Sequence, residues 1–203
     1  VQIRETIRTH LQRERELYPR GIKVLSLFFI DKVDKYRVYD TDSDDGRNGE
    51  YAKMFEEEYT ALVGEMQREL GDDAYWAYLN RMDAHSSHQG YFSIDKKKGK
   101  KARFVEGKVD RKTQTSDDTD AYDLIMRDKE RLLSLDEPVR FIFSHSALRE
   151  GWDNPNVFQI CTLKTQGESE IRSRQEIGRG LRLCVNQNGE RMDESVLGSE
   201  VQE

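Results

Sequence analysis

Ile3, Ile7, Leu11 and Tyr18 recur on one helical face, so residues 2–18 read as an amphipathic helix ended by Pro19 and Gly21. The run IKVLSLFFI (22–30) follows. Continuous apolar character over that length suits a strand buried on both faces, as in a parallel sheet. Residues 40–49 are acidic and glycine-bearing, hence a loop. Residues 50–70 and 72–82 read as helices, carrying Tyr51, Phe55, Tyr59 and Leu62, then Tyr75, Trp76 and Leu79. Two short strands, 91–94 and 102–105, flank KKKGKK with Gly99 at the turn, a hairpin pattern. Residues 112–120 are polar. A helix over 119–134 has an Asp118/Thr119 cap, an acidic first turn, and Ala121, Leu124, Ile125 and Leu132 turned inward. Pro138 precedes VRFIF, a second buried strand; 157–163 is a third, and 168–182 is helical. Apolar strands alternating with helices predict an α/β fold with a mostly parallel central sheet. There are no internal repeats.

At 203 residues the chain fits one domain carrying a sizeable insertion. Hydrophobic and charged residues each make up 35%, so much of the chain must be loop or solvated helix. The net charge of -6 argues against a protein that coats nucleic acid along its whole surface. That total hides two opposed blocks: eight acidic residues against Arg47 and Lys53 over 40–58, and nine basic residues against Glu106 and Asp110 over 96–112. Cys161 and Cys184 have no metal-ligand spacing and suggest a reducing compartment. No apolar run reaches the roughly 18 residues of a membrane span. VQIRETIRTHLQ lacks the apolar stretch of a signal peptide, and VLGSEVQE has no stop signature. The expectation is a soluble, cytoplasmic piece of a longer protein.

Chemistry concentrates in two strings. In SALREGWDNPNVFQI (146–160), Gly151 permits close backbone approach after a buried strand, and Asp153 is placed to accept a hydrogen bond from a ribose hydroxyl. Ligands in open α/β sheets bind beyond the carboxyl ends of strands. An ordinary loop in which Asp153 caps a turn fits the same residues. The second string, Q-x-x-G-R-x-x-R at 175–182, is more specific. On a helix Gln175, Arg179 and Arg182 share one face while Ile177 and Leu181 point into the core. Two guanidiniums and an amide thus converge, with Gly178 and Gly180 keeping the approach open. Phosphoryl transfer needs such positioned cations. A merely solvated arginine-rich face would be poorly served by two glycines, each costing about 1 kcal/mol within a helix.

G-x-D-x-P at 151–155 followed by Q-x-x-G-R-x-x-R at 175–182 resembles motifs V and VI of superfamily 2 helicases in order and spacing. The strand at 22–30 resembles motif IV, and 84–90 stands where a histidine-containing turn follows it. IKVLSLFFIDKVDKYR, GYFSIDKK, FIFSHSALREGWDNPNVFQICTL and RQEIGRGLRL are similar to the restriction subunit of type III restriction–modification enzymes. The resemblance covers essentially the whole chain and implies a second RecA-like domain over 1–203, with insertions over 40–118 between the motif IV and motif V strands. It implies arginine fingers at Arg179 and Arg182, with Gln175 orienting phosphate or water. Gly151, Asp153 and Gly178 would then face the nucleotide, and Ser146 or His145 the DNA backbone.

It also implies ATP with Mg²⁺, DNA, and a modification subunit as partners. A preceding RecA-like domain would hold most of the nucleotide, and a nuclease domain would lie downstream. No G-x-x-x-x-G-K-[ST] occurs in the chain, and Asp136–Glu137, before Pro138, is in no strand context for a magnesium-binding acid. The chain by itself is therefore expected to be inactive. Lys96, Lys97, Lys98, Lys100 and Lys101 read either as a grip on DNA phosphates or as a solvated hairpin tip. His85 and His88 read as part of a turn, with no further metal ligand at useful spacing. A helicase-like repair factor and a degenerate module that binds DNA or a partner without turnover are the other readings; the set Gln175, Arg179 and Arg182 argues against the second.

Overall fold

The computed structural model describes residues 1–39, 46–71, 73–92, 94–95, 103–104, 123–145, 154–163 and 184–192. All six residues of β1 (Leu25–Ile30) are buried. Its neighbours are β7 (Phe141–Ser144) on one side and β8 (Val157–Leu163) on the other, both parallel to it. Outside β7 lies β4 (His88–Tyr91), also parallel, giving the order β4-β7-β1-β8. This is the α/β class with a parallel central sheet that the sequence predicts, consistent with a RecA-like domain.

Alternation along β1 divides the core. Phe28 and Ile30 face one layer with Phe141 and Phe143, while Leu25, Leu27 and Phe29 face the other with Ile142 and Val157. The first layer is built by α1 (Gln2–Leu17), α2 (Glu50–Leu70) and α3 (Ala74–Leu79). On α2 the spacing of Ala52, Phe55, Tyr59, Leu62 and Met66 makes one continuous buried stripe. α1 lies against α2 and β8, burying Ile3, Ile7 and Leu11. The second layer is thinner: Leu124 and Ile125 from a π-helical turn (Asp123–Arg127), and Leu132 from α4 (Lys129–Leu133). Each fully buried Phe or Leu contributes about 1.5–3 kcal/mol, so the sheet is held mainly by this two-sided burial.

Several expectations shift in detail. Ile22, Lys23 and Val24 are buried, but the strand starts at Leu25. Gly21, at φ +66, turns the chain out of α1, and its carbonyl accepts from the Gln187 amide at 2.9 Å. Within the expected acidic loop, β3 (Gly46–Asn48) pairs antiparallel with β2 (Arg37–Tyr39). The helix expected over 72–82 shortens to 74–79, because the Asp73 carboxylate caps it by accepting from the Trp76 amide at 3.1 Å. The helix expected to 134 is broken: Asp128, at φ -102 and ψ 60, leaves helical geometry and caps a new helix through the Arg131 amide. β5 (Ile94–Asp95) and β6 (Arg103–Phe104) pair antiparallel, as the hairpin pattern predicts, but Tyr91, expected in the first of these strands, instead ends β4 in the central sheet. The segment 40–118, read as insertions, supplies β4 to the central sheet and α2 and α3 to the core. The polar stretch 112–120 and the helix expected over 168–182 lie outside the described residues.

Candidate functional site

The carboxyl edge of the sheet, where open α/β folds place ligands, is formed by the ends of β4, β7, β1 and β8. β7 delivers Ser144 there with its side chain fully buried and its hydroxyl without a hydrogen-bond partner among the described residues. His145 follows, half-buried. Just beyond β1, the Asp31 carboxylate accepts from Lys35 Nζ at 2.9 Å, and Lys35 also donates to Tyr51 Oη at 3.0 Å. These two hydrogen bonds raise the pKa of Lys35 above its ordinary value, so it is a fixed cation at that edge.

Residues 154–156 stand at the opposite, amino end. The Leu25 amide donates to the Asn156 carbonyl at 2.8 Å. The Asn156 side chain, fully buried, donates to the carbonyls of Lys23 and Val185, both at 2.9 Å, and accepts from the Val185 amide at 2.8 Å. One side chain thus ties the entries of β1 and β8 to the segment 184–192. Lys23 is buried too, its ammonium donating to the carbonyls of Ser134 at 2.9 Å and Glu137 at 2.6 Å. Burial, with the Arg140 charge next, pulls its pKa down to about 7, and the charges of Glu14 and Glu137 oppose that shift.

Of the residues read as functional, His145 alone is described. Gln175, Arg179, Arg182, Gly151, Asp153, Gly178, Ser146 and the lysines Lys96, Lys97, Lys98, Lys100 and Lys101 lie outside the described residues. β7 does bring the chain to the carboxyl edge immediately before the first of the two strings.

A second constellation was not legible in sequence. Glu56 on α2 meets His85, in the turn before β4, and His88, the first residue of β4. Glu56 Oε1 lies 2.8 Å from His85 Nδ1 and 3.2 Å from His88 Nε2. Asn48 Nδ2 donates to the same oxygen at 2.8 Å. The other nitrogen of His88 contacts Tyr36 Oη at 2.7 Å. His88 is 2% exposed at the side chain, Glu56 27% and His85 75%. Burial lowers the His88 pKa to about 4 despite the carboxylate beside it, so its imidazole is neutral at neutral pH. Burial tends to raise Glu56, but the bonds from His85 and His88 win and hold it below the usual carboxylate range. The sequence reading had the two histidines but no third ligand. Glu56 is far away along the chain, and only the packing of α2 on the sheet brings it there.

No protein-family model matches the chain. Among curated proteins it is 42% identical over 192 residues to the type III restriction-modification enzyme EcoPI Res subunit of Escherichia phage P1, covering 91% of this chain and 17% of that protein. It is 43% identical over 192 residues to the EcoP15I Res subunit of Escherichia coli, with the same coverage of 91% and 17%. It is 34% identical over 213 residues to the StyLTI Res subunit of Salmonella typhimurium, covering 94% of this chain and 20% of that protein. The chain therefore spans a fifth or less of the length of these relatives and is homologous to one segment of them. Among the described residues no helix is long and apolar enough to cross a membrane.

Proposed function

We propose that this homologue of a Res-subunit segment is the second RecA-like half of an ATP-dependent DNA motor in a type III restriction enzyme. The observation that carries the reading is its similarity to three Res subunits over more than nine-tenths of its length. The motif-like strings at 151–155 and 175–182 and the purely parallel sheet, whose central strand β7 leads into the first string, support it. In this reading Arg179 and Arg182 stabilise the charge that develops on the transferring phosphate, and Gln175 orients phosphate or water. Gly151, Asp153 and Gly178 face a nucleotide whose phosphates and Mg²⁺ are held mainly by a preceding domain. Ser146, His145 and the lysine block meet the DNA backbone. Hydrolysis then drives translocation or a conformational switch on DNA before cleavage by a downstream nuclease domain, with a modification subunit recognising the site.

The test is steady-state ATPase of the full-length protein with saturating DNA. Arg179→Ala and Arg182→Ala should each lower turnover by roughly 10³–10⁵, about 4–7 kcal/mol of barrier. Lysine should rescue poorly, since an ammonium cannot reproduce the guanidinium fork. Near-normal turnover in both alanine variants would remove the motor and leave a binding module. Alanine at all five lysines should weaken DNA binding and flatten its salt dependence; an unchanged slope would make them a solvated tip.

A further inference from the structure

We propose that Glu56, His85 and His88 form a binding site for a zinc-class divalent transition-metal ion that clamps α2 to the edge strand of the sheet. The donor set, two imidazoles and one carboxylate, is one that Zn²⁺ takes with an open fourth position. One ligand atom from each residue can be chosen so that all lie within 4.8 Å of one another. Metal bonds of about 2.0–2.2 Å at tetrahedral angles separate ligand atoms by about 3.4 Å. The existing contacts of 2.8 and 3.2 Å from Glu56 Oε1 are already near that spacing, so a small outward movement admits an ion.

The surroundings also suit a ligand set. Metal-bound histidine characteristically donates its second ring nitrogen to an oxygen that fixes the tautomer. Tyr36 Oη stands there, 2.7 Å from His88 Nδ1. When a metal takes Nε2, the single ring proton resides on Nδ1 and is donated to Tyr36, whose hydroxyl serves as donor or acceptor equally well. Three elements converge on the ion: α2 through Glu56, the 84–87 turn through His85, and β4 through His88. Exposure falls from His85 through Glu56 to His88, so the open position faces solvent on the side of His85. His88 starts β4, at the end of the sheet away from the carboxyl edge, so the ion is separate from the proposed nucleotide site.

The experiment compares the full-length protein with His85→Ala after chelation and dialysis, titrating Zn²⁺ by calorimetry and Co²⁺ by visible absorption. His85 is largely exposed, so its replacement leaves the core intact. Wild type should take up one more equivalent of Zn²⁺ than His85→Ala, and its Co²⁺ form should show a low-symmetry ligand-field band that the variant lacks. Tyr36→Phe should weaken this site by about 10–100-fold without removing it. Equal stoichiometry and identical Co²⁺ spectra in wild type and His85→Ala would overturn the proposal. ATPase activity is not part of the readout, so the result stands apart from the motor reading.

Discussion

The Arg140 guanidinium lies on the Glu14 carboxylate, with Nε 2.9 Å from Oε1 and 3.1 Å from Oε2, and neither side chain has any solvent exposure. Arg140 also donates to the Pro138 carbonyl at 2.8 Å and to Tyr78 Oη at 2.5 Å, while Tyr75 Oη donates to Glu14 Oε2 at 2.9 Å. Burial works against the charged guanidinium, but Glu14 together with Tyr78, Tyr59 and Tyr75 outweighs it and holds Arg140 above its ordinary pKa. The pair joins α1 to the approach of β7 and anchors α3 through its two tyrosines. Removing one partner leaves a buried, unpaired charge. Glu14→Gln or Arg140→Met should each cost roughly 3–5 kcal/mol, and the double variant less than their sum. Urea denaturation of the four proteins measures this; additive losses would mean the two charges do not depend on each other.

Beside that pair, His10 supplies an acid-labile element. Its Nδ1 contacts Ser26 Oγ at 2.8 Å, its ring lies 4.1 Å from that of Phe141, and its Nε2 has no hydrogen-bond partner among the described residues. Desolvation first, opposed by Glu14 and reinforced by Arg140 and Lys23, lowers its pKa to about 4 from 6.5. The unfolded chain therefore binds the proton more readily than the folded one. The stability that depends on neutral His10 is present above pH 6.5 and is lost as pH falls toward 4, by roughly 3 kcal/mol in all. His10→Gln should flatten the pH dependence of the melting temperature in that window; an unchanged slope would assign the acid sensitivity to other groups.

Asn156→Ala should destabilise by about 1–3 kcal/mol, because it strands the amide of Val185 and the carbonyls of Lys23 and Val185 without a partner. Since the side chain is the tie to 184–192, protease cleavage near Val185 should accelerate before global unfolding. Cleavage no faster than in wild type would show that the segment is held instead by the Gln187 hydrogen bonds to Leu133 and Leu135 and by Met192, buried against Leu17, Ile22 and Val24.

Gly90→Ala tests the packing behind His88. A Cβ there would stand 2.5 Å from ring carbons of both Tyr36 and Phe92. Both rings are buried, so neither yields easily, and overpacking should cost about 1–3 kcal/mol. A melting temperature equal to wild type would mean that the rings have room to turn aside.

The elements most legible in sequence were those whose burial is set by their own pattern. β1 is apolar at nearly every position and is buried on both faces; α2 carries one apolar stripe and begins and ends at 50 and 70 as read. β4 was missed because HQGY is short, half polar and preceded by a turn. It is a strand because its backbone continues the β7 ladder in register, His88 opposite Phe141 and Tyr91 opposite Ser144. The break at Asp128 was hidden because the apolar spacing of Leu124, Ile125 and Leu132 runs through it unchanged. Arg140 and Lys23 were likewise unremarkable in sequence. Their burial depends on Glu14 and on the carbonyls of Ser134 and Glu137, which tertiary packing alone brings to them.

β1 is made early, yet its two hydrogen-bonding edges are completed only by Phe141–Ser144 and Val157–Leu163. On a ribosome, LSLFFI emerges long before either neighbour exists. Until then it exposes two unpaired edges and two greasy faces at once. Long-range parallel pairing is slow, and such an intermediate invites aggregation. α1 precedes the strand and can shield one face as soon as both have emerged; the other waits for Leu124 and Leu132. During synthesis, the solubility of this chain therefore turns on how soon Phe141–Ser144 and Val157–Leu163 close over those edges.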